Sequence, residues 1–241
     1  MDSEKFSPRL RLAIVSLSFF GIGVVLPFGH ASSQARNESE AAPGPVEPAQ
    51  ASGPVEFLER YIAEVDDLTA NFTQEVFDVD GALIEEEAST GRFSLLRPNR
   101  FVWHYDPPYE LIVIADAESL WMYDVELETA TKAPLSDLAT SPAMLLSGEG
   151  TVSEGFSVRD LASDDALRWI ELLPLEDDSE FQSAKIGFRD GIPEVLDLVD
   201  ALSQRQRIEF RDVETNTGLR RRDFEFDPPR GVDIVGDDES L

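Results

Sequence analysis

Catalysis by a nucleophile, a base or a bound metal requires particular side chains at particular spacings, and this 241-residue chain carries few of them. It has no cysteine, which removes thiolate ligands, disulfides and a cysteine-borne lipid anchor. Of its two histidines, His30 lies in an N-terminal leader and His104 stands mid-strand with no nucleophile placed to use it, so His104 is expected to be structural. There is no Gly-x-Ser-x-Gly elbow, Gly-rich phosphate loop or His-rich metal spacing. Glu85-Glu86-Glu87 and Asp237-Asp238-Glu239 are single-sign runs of the solvated kind, without the spaced oxygens and turn glycine of a calcium loop. These residues predict no enzyme and no cofactor.

A different chemistry is open to the bulky apolar side chains. Phe101, Trp103 and Tyr105 alternate with Val102 and His104, so the three rings share one strand face. Trp121 and Tyr123 share a face two strands on, and Met144, Leu145 and Leu146 follow a Ser141-Pro142 helix start. The same pattern describes ordinary core packing and the wall of a cavity for an apolar ligand. Arg97 opens the turn Arg97-Pro98-Asn99-Arg100, where five guanidinium donors are offered at a strand end.

These side chains are positioned by one helix and a series of short strands. Gly53-Pro54 opens an amphipathic helix in which Val55, Leu58, Ile62, Val65 and Leu68 form the apolar stripe, with Glu56, Glu59, Glu64 and Asp67 off it. From about Thr69 the period becomes that of strands. Asp80-Gly81, Asp106-Pro107-Pro108 and Asp116-Ala117-Glu118 are turns, and Glu110 to Ala115 and Ser119 to Val125 are strands. A short apolar helix at residues 141–146 interrupts the meander. Strands resume at Phe156 to Asp160, Leu167 to Leu173, Ala184 to Phe188, Glu194 to Val199, Arg205 to Phe210 and Phe224 to Phe226. The fold class is mainly β: one large, strongly bent sheet with a few helices on one face.

The formal charge of −28 excludes nucleic acid as a natural ligand and disfavours anionic membrane surfaces. Lys5, Lys132 and Lys185 are the three lysines, a composition suited to a saline medium that screens self-repulsion. At the N-terminus Lys5, Arg9 and Arg11 precede the apolar run Leu12 to Leu26, which is too short to span a membrane and has the form of a cleavable export signal, with an uncleaved anchor as the alternative. Cleavage is expected after Ala31 or Ala35. Residues 36–53, rich in Pro, Ala, Gly and Glu, form a linker. Domain organisation is thus a signal peptide over 1–35, a flexible linker over 36–53 and one folded domain over 54–241.

The stretch from Gly91 to Lys132 resembles the outer-membrane lipoprotein carrier family, LolA. It carries Arg97-Pro98 with Phe101-Val102-Trp103, followed by Leu120-Trp121-Met122-Tyr123-Asp124. Further pieces fit in order: Asn71-Phe72-Thr73-Gln74, Ser141-Pro142-Ala143-Met144-Leu145-Leu146, Asp200-Ala201-Leu202-Ser203-Gln204, and Phe224-Glu225-Phe226-Asp227-Pro228-Pro229-Arg230-Gly231-Val232-Asp233. The resemblance spans roughly residues 54–235. The chain departs from the family at Asp116-Ala117-Glu118, where Asp-Gly is usual, and at Ala143, where a bulkier apolar residue is usual.

The resemblance implies an incomplete, strongly curved antiparallel β-barrel closed by a helical lid, and a periplasmic carrier that shields lipoprotein acyl chains. Implied partners are acylated lipoproteins, an inner-membrane ABC-type complex that releases them and an outer-membrane receptor that accepts them, with the carrier a monomer. Phe101, Trp103, Trp121, Tyr123, Met144, Leu145 and Leu146 are then expected to line the acyl-chain cavity, and Arg97 to latch the lid by bonding its carbonyls. The nearest rival is the receptor of the same pathway, which needs a cysteine after its signal. Another is a periplasmic regulator of the same half-barrel fold that senses lipids or lipoproteins and usually carries a second domain, for which the chain is expected to leave no room.

Overall fold

The computed structural model describes residues 52–135, 152–176, 179 and 181–236. Helix α1 (Pro54–Glu64) starts with Pro54 in its first turn, where a missing N–H costs nothing, and places Glu56 at the positive end of the helix dipole. It ends earlier than its apolar stripe predicts. Val65 turns extended and Leu68 falls in the first strand, because the carbonyls that would continue the helix are captured by groups from elsewhere in the fold.

Among the described residues, twelve strands form one sheet. They are β1 (Asp67–Phe77), β2 (Ser89–Leu96), β3 (Arg100–Tyr105), β4 (Leu111–Asp116), β5 (Ser119–Asp124), β6 (Thr129–Pro134), β7 (Phe156–Leu161), β8 (Arg168–Pro174), β9 (Phe181–Arg189), β10 (Ile192–Asp200), β11 (Arg205–Thr215) and β12 (Asp233–Gly236). Their order across the sheet is β12-β6-β5-β4-β3-β2-β1-β11-β10-β9-β8-β7. Two antiparallel meanders therefore meet where β1 pairs with β11, and only β12, which runs parallel to β6, breaks the pattern. The sheet has two edges, β12 and β7, so the barrel is incomplete. A short helix, α2 (Val152–Gly155), packs against α1.

The two faces of the sheet differ as strand periodicity requires. The inner face carries Leu68, Phe72, Phe93, Leu95, Phe101, Trp103, Ile170, Leu172, Ile186, Leu196 and Phe210, all buried. On the outer face, Arg159, Glu171, Lys185, Asp197, Arg207 and Glu75 lie opposite one another on six successive strands, alternating in sign. Opposite charges at directly paired positions stabilise a sheet, and ion pairs join Glu171 to Arg159 and Lys185, and Asp197 to Arg207.

An apolar part of the outer face, formed by Val102, Ile114, Trp121 and Tyr123, is covered by the chain itself. After β11, residues 216–232 cross the outer face as a strap. A 3-10 turn (Arg221–Phe224) sits on β3 and β4, burying Phe224, and the strap then leads into β12. The predicted strand Phe224 to Phe226 is thus part of this strap. β6 and β12 were not predicted: β6 has a single buried residue, Ala130, and the four residues of β12 are all exposed, so neither shows an alternating apolar pattern. The turns match their sequence signals. Asp116 Oδ1 accepts the N–H groups of Glu118 and Ser119 at 2.9 and 2.7 Å, which holds Ala117 at φ 83°. Gly81 (φ 83°) belongs to a longer connection between β1 and β2.

Candidate functional site

The inner face is lined by aromatic rings from four strands. Trp103 packs on Phe93 with ring centroids 4.2 Å apart and edge-on to Phe72 at 4.9 Å, and Phe210 closes the group at 6.0 Å from Trp103. Phe101, 1% exposed, lies on the same face, opposite Leu95 and Ala115. At the far end of the cluster the Tyr105 hydroxyl donates to Gln74 Oε1 at 3.2 Å, and burial pushes its pKa well above the ordinary value. Phe101 and Trp103 are both buried on the inner apolar face of the sheet. Among the described residues, their neighbours are close-packed rings.

Helix α1 lies over this interior. Leu58 and Tyr61 are buried, and Phe57 and Tyr61 meet Phe188 edge-on at 5.0 and 5.4 Å. Between α1, α2 and the sheet, Leu58, Tyr61, Ile62, Val152, Leu172, Ile186 and Phe188 leave a void of only about 10 Å³. That is no more than a single water needs, so α1 is seated on the sheet. A larger open groove of about 450 Å³ lies elsewhere, by Asp106 to Tyr109 and β11, but Glu75, Arg207, Glu209 and Arg211 make it a polar site.

The C-terminal end of α1 is held by Arg97. Its Nε donates to the carbonyl of Val65 at 2.8 Å, its backbone N–H donates to the Asp66 carbonyl at 2.8 Å, and its guanidinium lies 5.4 Å from the centre of the Tyr61 ring. Among the described residues, the two terminal nitrogens of Arg97 and the Tyr61 hydroxyl are buried without a hydrogen-bond partner. Burial accordingly lowers the pKa of Arg97, and it pushes that of Tyr61 up to about 12 against the opposing effect of the Arg97 charge. Unpaired buried donors cost free energy, so the seated arrangement of α1 carries a built-in penalty.

Asn216 and Asp67 complete this end, and neither carries a local motif that marks it. Asn216 donates through Nδ2 to the Glu64 carbonyl at 2.9 Å and accepts from the Asp66 N–H at 2.8 Å. Asp67 accepts from Thr217 N and Oγ1, both at 2.7 Å, from Gly218 N at 2.9 Å and from Leu219 N at 3.3 Å. Burial alone would raise the pKa of Asp67, but these hydrogen bonds together outweigh it and hold the carboxyl below the usual range.

Trp121 and Tyr123 require a correction. In the register of β3, β4 and β5, Trp103 lies opposite Val113 and Val113 opposite Met122, whereas Trp121 pairs with Ile114 and Tyr123 with Ile112. Parity therefore puts Met122 on the inner face and Trp121 and Tyr123 on the outer one, where they pack on Phe226 of the strap at 5.4 and 5.7 Å. Met144, Leu145 and Leu146 lie outside the described residues. His104 is on the outer face between Arg92 (3.2 Å) and Glu110 (2.9 Å), an ordinary surface network. Among the described residues there is no group of three or more potential metal ligands, and no helix is long and apolar enough to cross a membrane.

Comparison with known proteins gives a consistent result. The profile of a family described as outer membrane lipoprotein carrier protein LolA matches residues 63–227. An outer-membrane lipoprotein carrier protein of Halorhodospira halophila is 38% identical over 185 residues, covering 76% of this chain and 86% of that protein. One from Methylibium petroleiphilum is 36% identical over 182 residues, covering 75% and 88%. Among solved structures, a LolA superfamily protein from Nitrosomonas europaea aligns with a TM-score of 0.46 at 12% identity, over 73% of this chain and 99% of that one.

Proposed function

Because the chain belongs to the outer membrane lipoprotein carrier family LolA, we propose that it carries lipoproteins across the periplasm by holding their acyl chains against the concave face of the half-barrel. The observation that carries this reading is the seating of α1: an amphipathic helix lies over a large apolar face and is held at its ends by polar contacts that can break without unfolding the sheet. In the closed form α1 covers apolar surface that would otherwise meet water. When α1 lifts, Phe101, Trp103 and their neighbours become the wall against which an acyl chain packs.

Arg97 serves as the latch. Its bond to Val65 favours closure, while its two unpaired nitrogens keep closure shallow, so the equilibrium can be tipped by cargo in one direction and by a receptor in the other. No nucleotide site is needed in the carrier, since an inner-membrane ABC-type complex would drive loading and an outer-membrane receptor would take the cargo. The family is one of carriers and not of enzymes, in keeping with the poverty of catalytic groups. In this reading residues 1–35 direct export and the segment up to Ala51 tethers the domain; Ser52 already belongs to the fold, where its carbonyl accepts from Arg168. The strongly negative surface keeps the carrier off anionic membranes.

The test is mass spectrometry of the protein isolated from the periplasm of cells blocked in outer-membrane delivery. Acylated lipoproteins should co-purify in near-equimolar amount. Recovery of the protein free of acylated species under that block would overturn the reading.

A further inference from the structure

The two ends of α1 are not equivalent. The C-terminal end continues directly into β1 through Val65 and Asp66, and Arg97 and Asn216 bind the backbone on both sides of that junction. This end therefore has the constraints of a hinge. The N-terminal end is preceded, among the described residues, by Ser52 and Gly53. Its tie to the sheet is Arg168 of β8, whose Nη2 donates to the Ser52 carbonyl at 2.8 Å and whose guanidinium lies over the Phe57 ring at 4.3 Å. Phe57 in turn meets Phe188 of β9, the neighbouring strand.

Arg168 is itself held. Asp160 of β7 accepts from its Nε at 2.8 Å and from its Nη2 at 3.1 Å, a two-point grip that fixes the plane of the guanidinium. Cross-strand register places Arg168 opposite Phe188, and Asp160 opposite Ile170, so both point to the side of the sheet that α1 covers. Their side chains remain partly exposed, 29% for Arg168 and 45% for Asp160, so water can compete once the contact loosens. An eleven-residue helix is about 16 Å long, so rotation about the Val65–Asp66 junction moves this end the most.

We propose that Arg168 is the catch of the lid: a positioning residue that fastens the free end of α1, with Asp160 as its mount, while Arg97 works at the hinge. This rests on the reading of α1 as a lid. The helix opens by release of the Ser52 and Phe57 contacts first and pivots at Val65–Asp66. Such a catch can be released before the Arg97–Val65 bond yields and without disturbing the sheet, and it sits at the rim between β7, β8 and α1.

The experiment is residue-resolved hydrogen exchange on the full exported chain without cargo, comparing the native protein with Arg168→Met, Asp160→Asn and Arg97→Leu, together with binding of an environment-sensitive apolar dye. Methionine keeps an apolar stem over Phe57 and removes the donors. Arg168→Met is expected to speed exchange in α1 by roughly tenfold, the scale of one lost charge-assisted hydrogen bond, and to raise dye binding, with β1 and β11 unchanged. Asp160→Asn should act in the same direction but more weakly. If Arg97→Leu speeds exchange in α1 and Arg168→Met does not, the catch is refuted and the lid stands. If neither variant opens α1 ahead of the core strands, the lid reading itself fails. Should Arg168→Met prove too unstable to purify, Asp160→Asn carries the same test, and α1 exchange unchanged in that variant would count against the catch.

Discussion

Asp67 offers the sharpest quantitative test, because one buried carboxylate joins the hinge of α1 to the start of the outer strap. One of its oxygens accepts from Thr217 N and Oγ1 and the other from Gly218 N and Leu219 N, with the residue 4% exposed. Asp67→Asn preserves the shape and one acceptor, but turns an amide NH₂ towards two N–H donors. The N–H groups of the exposed Gly218 and the half-buried Leu219 then lose their partner where water can partly replace it, at about 0.5–1.5 kcal/mol each, so the variant should be less stable by about 1–3 kcal/mol near neutral pH. The pH dependence has a definite sign. Hydrogen bonding holds the folded pKa of Asp67 below its unfolded value, so its contribution is complete above the unfolded pKa and disappears as pH falls through the folded one. Urea denaturation followed from about pH 7 downward should therefore show the native protein losing its advantage over Asp67→Asn in acid. A stability gap that stays constant with pH, or one below about 0.5 kcal/mol at neutral pH, would refute the reasoning.

Arg97→Leu should load cargo and transfer it poorly to an outer-membrane receptor, measured as the split between carrier-bound and delivered lipoprotein; normal delivery would remove the latch. Gly91→Ala should be among the most damaging single substitutions in the sheet, because a Cβ there would meet the His104 carbonyl oxygen at 2.1 Å and the Phe72 ring at 2.8 Å; a thermal scan checks it. Trp121→Ala should leave acyl-chain loading intact while loosening the strap, at about 0.5–1.5 kcal/mol for the lost ring contact with Phe226. The inner-face substitution Phe93→Ala should impair loading. The reverse pattern of loading defects would mean that the faces are wrongly assigned.

How much of this was legible depended on which residues were asked. Alternation on β3 shows that Phe101 and Trp103 share a face, and the burial pattern of the strand agrees. Trp121 and Tyr123 also alternate strictly, yet face outward. Alternation fixes which residues share a face but not which face, and the choice for β5 is made by its pairing register with β4. The clue available in the sequence was Phe224 and Phe226, which need a partner surface of their own; taken as a strand they conceal it, and as a strap they explain it. The helix start at Pro54 was evident from local chemistry. Its end was not, since Arg97 and Asn216, both distant in sequence, stop it. The same distance hid Arg168, which is adjacent to Ser52 only after β8 and α1 have met.

The energetics of the lid bear on how many chains the carrier must hold. Burying a sixteen-carbon chain is worth on the order of 12 kcal/mol. Closure of α1 buries Leu58 and Tyr61 fully and Phe57, Ile62 and Val65 in part, which at about 1.5–3 kcal/mol per full side chain amounts to about 5–10 kcal/mol. One chain therefore gains little more than the lid loses, and association itself costs at least about 4 kcal/mol. A second chain entering the already opened site meets no such opposing term. Single-chain fatty acids should accordingly bind weakly, while a diacyl amphiphile of the same chain length binds tighter by several orders of magnitude, and Arg168→Met should tighten both by the same factor, because each opens the lid once. Calorimetric titration with matched one- and two-chain ligands measures this directly. Tight binding of the single chain by the native protein, with no gain from the second, would show that α1 does not compete with cargo for the same apolar face.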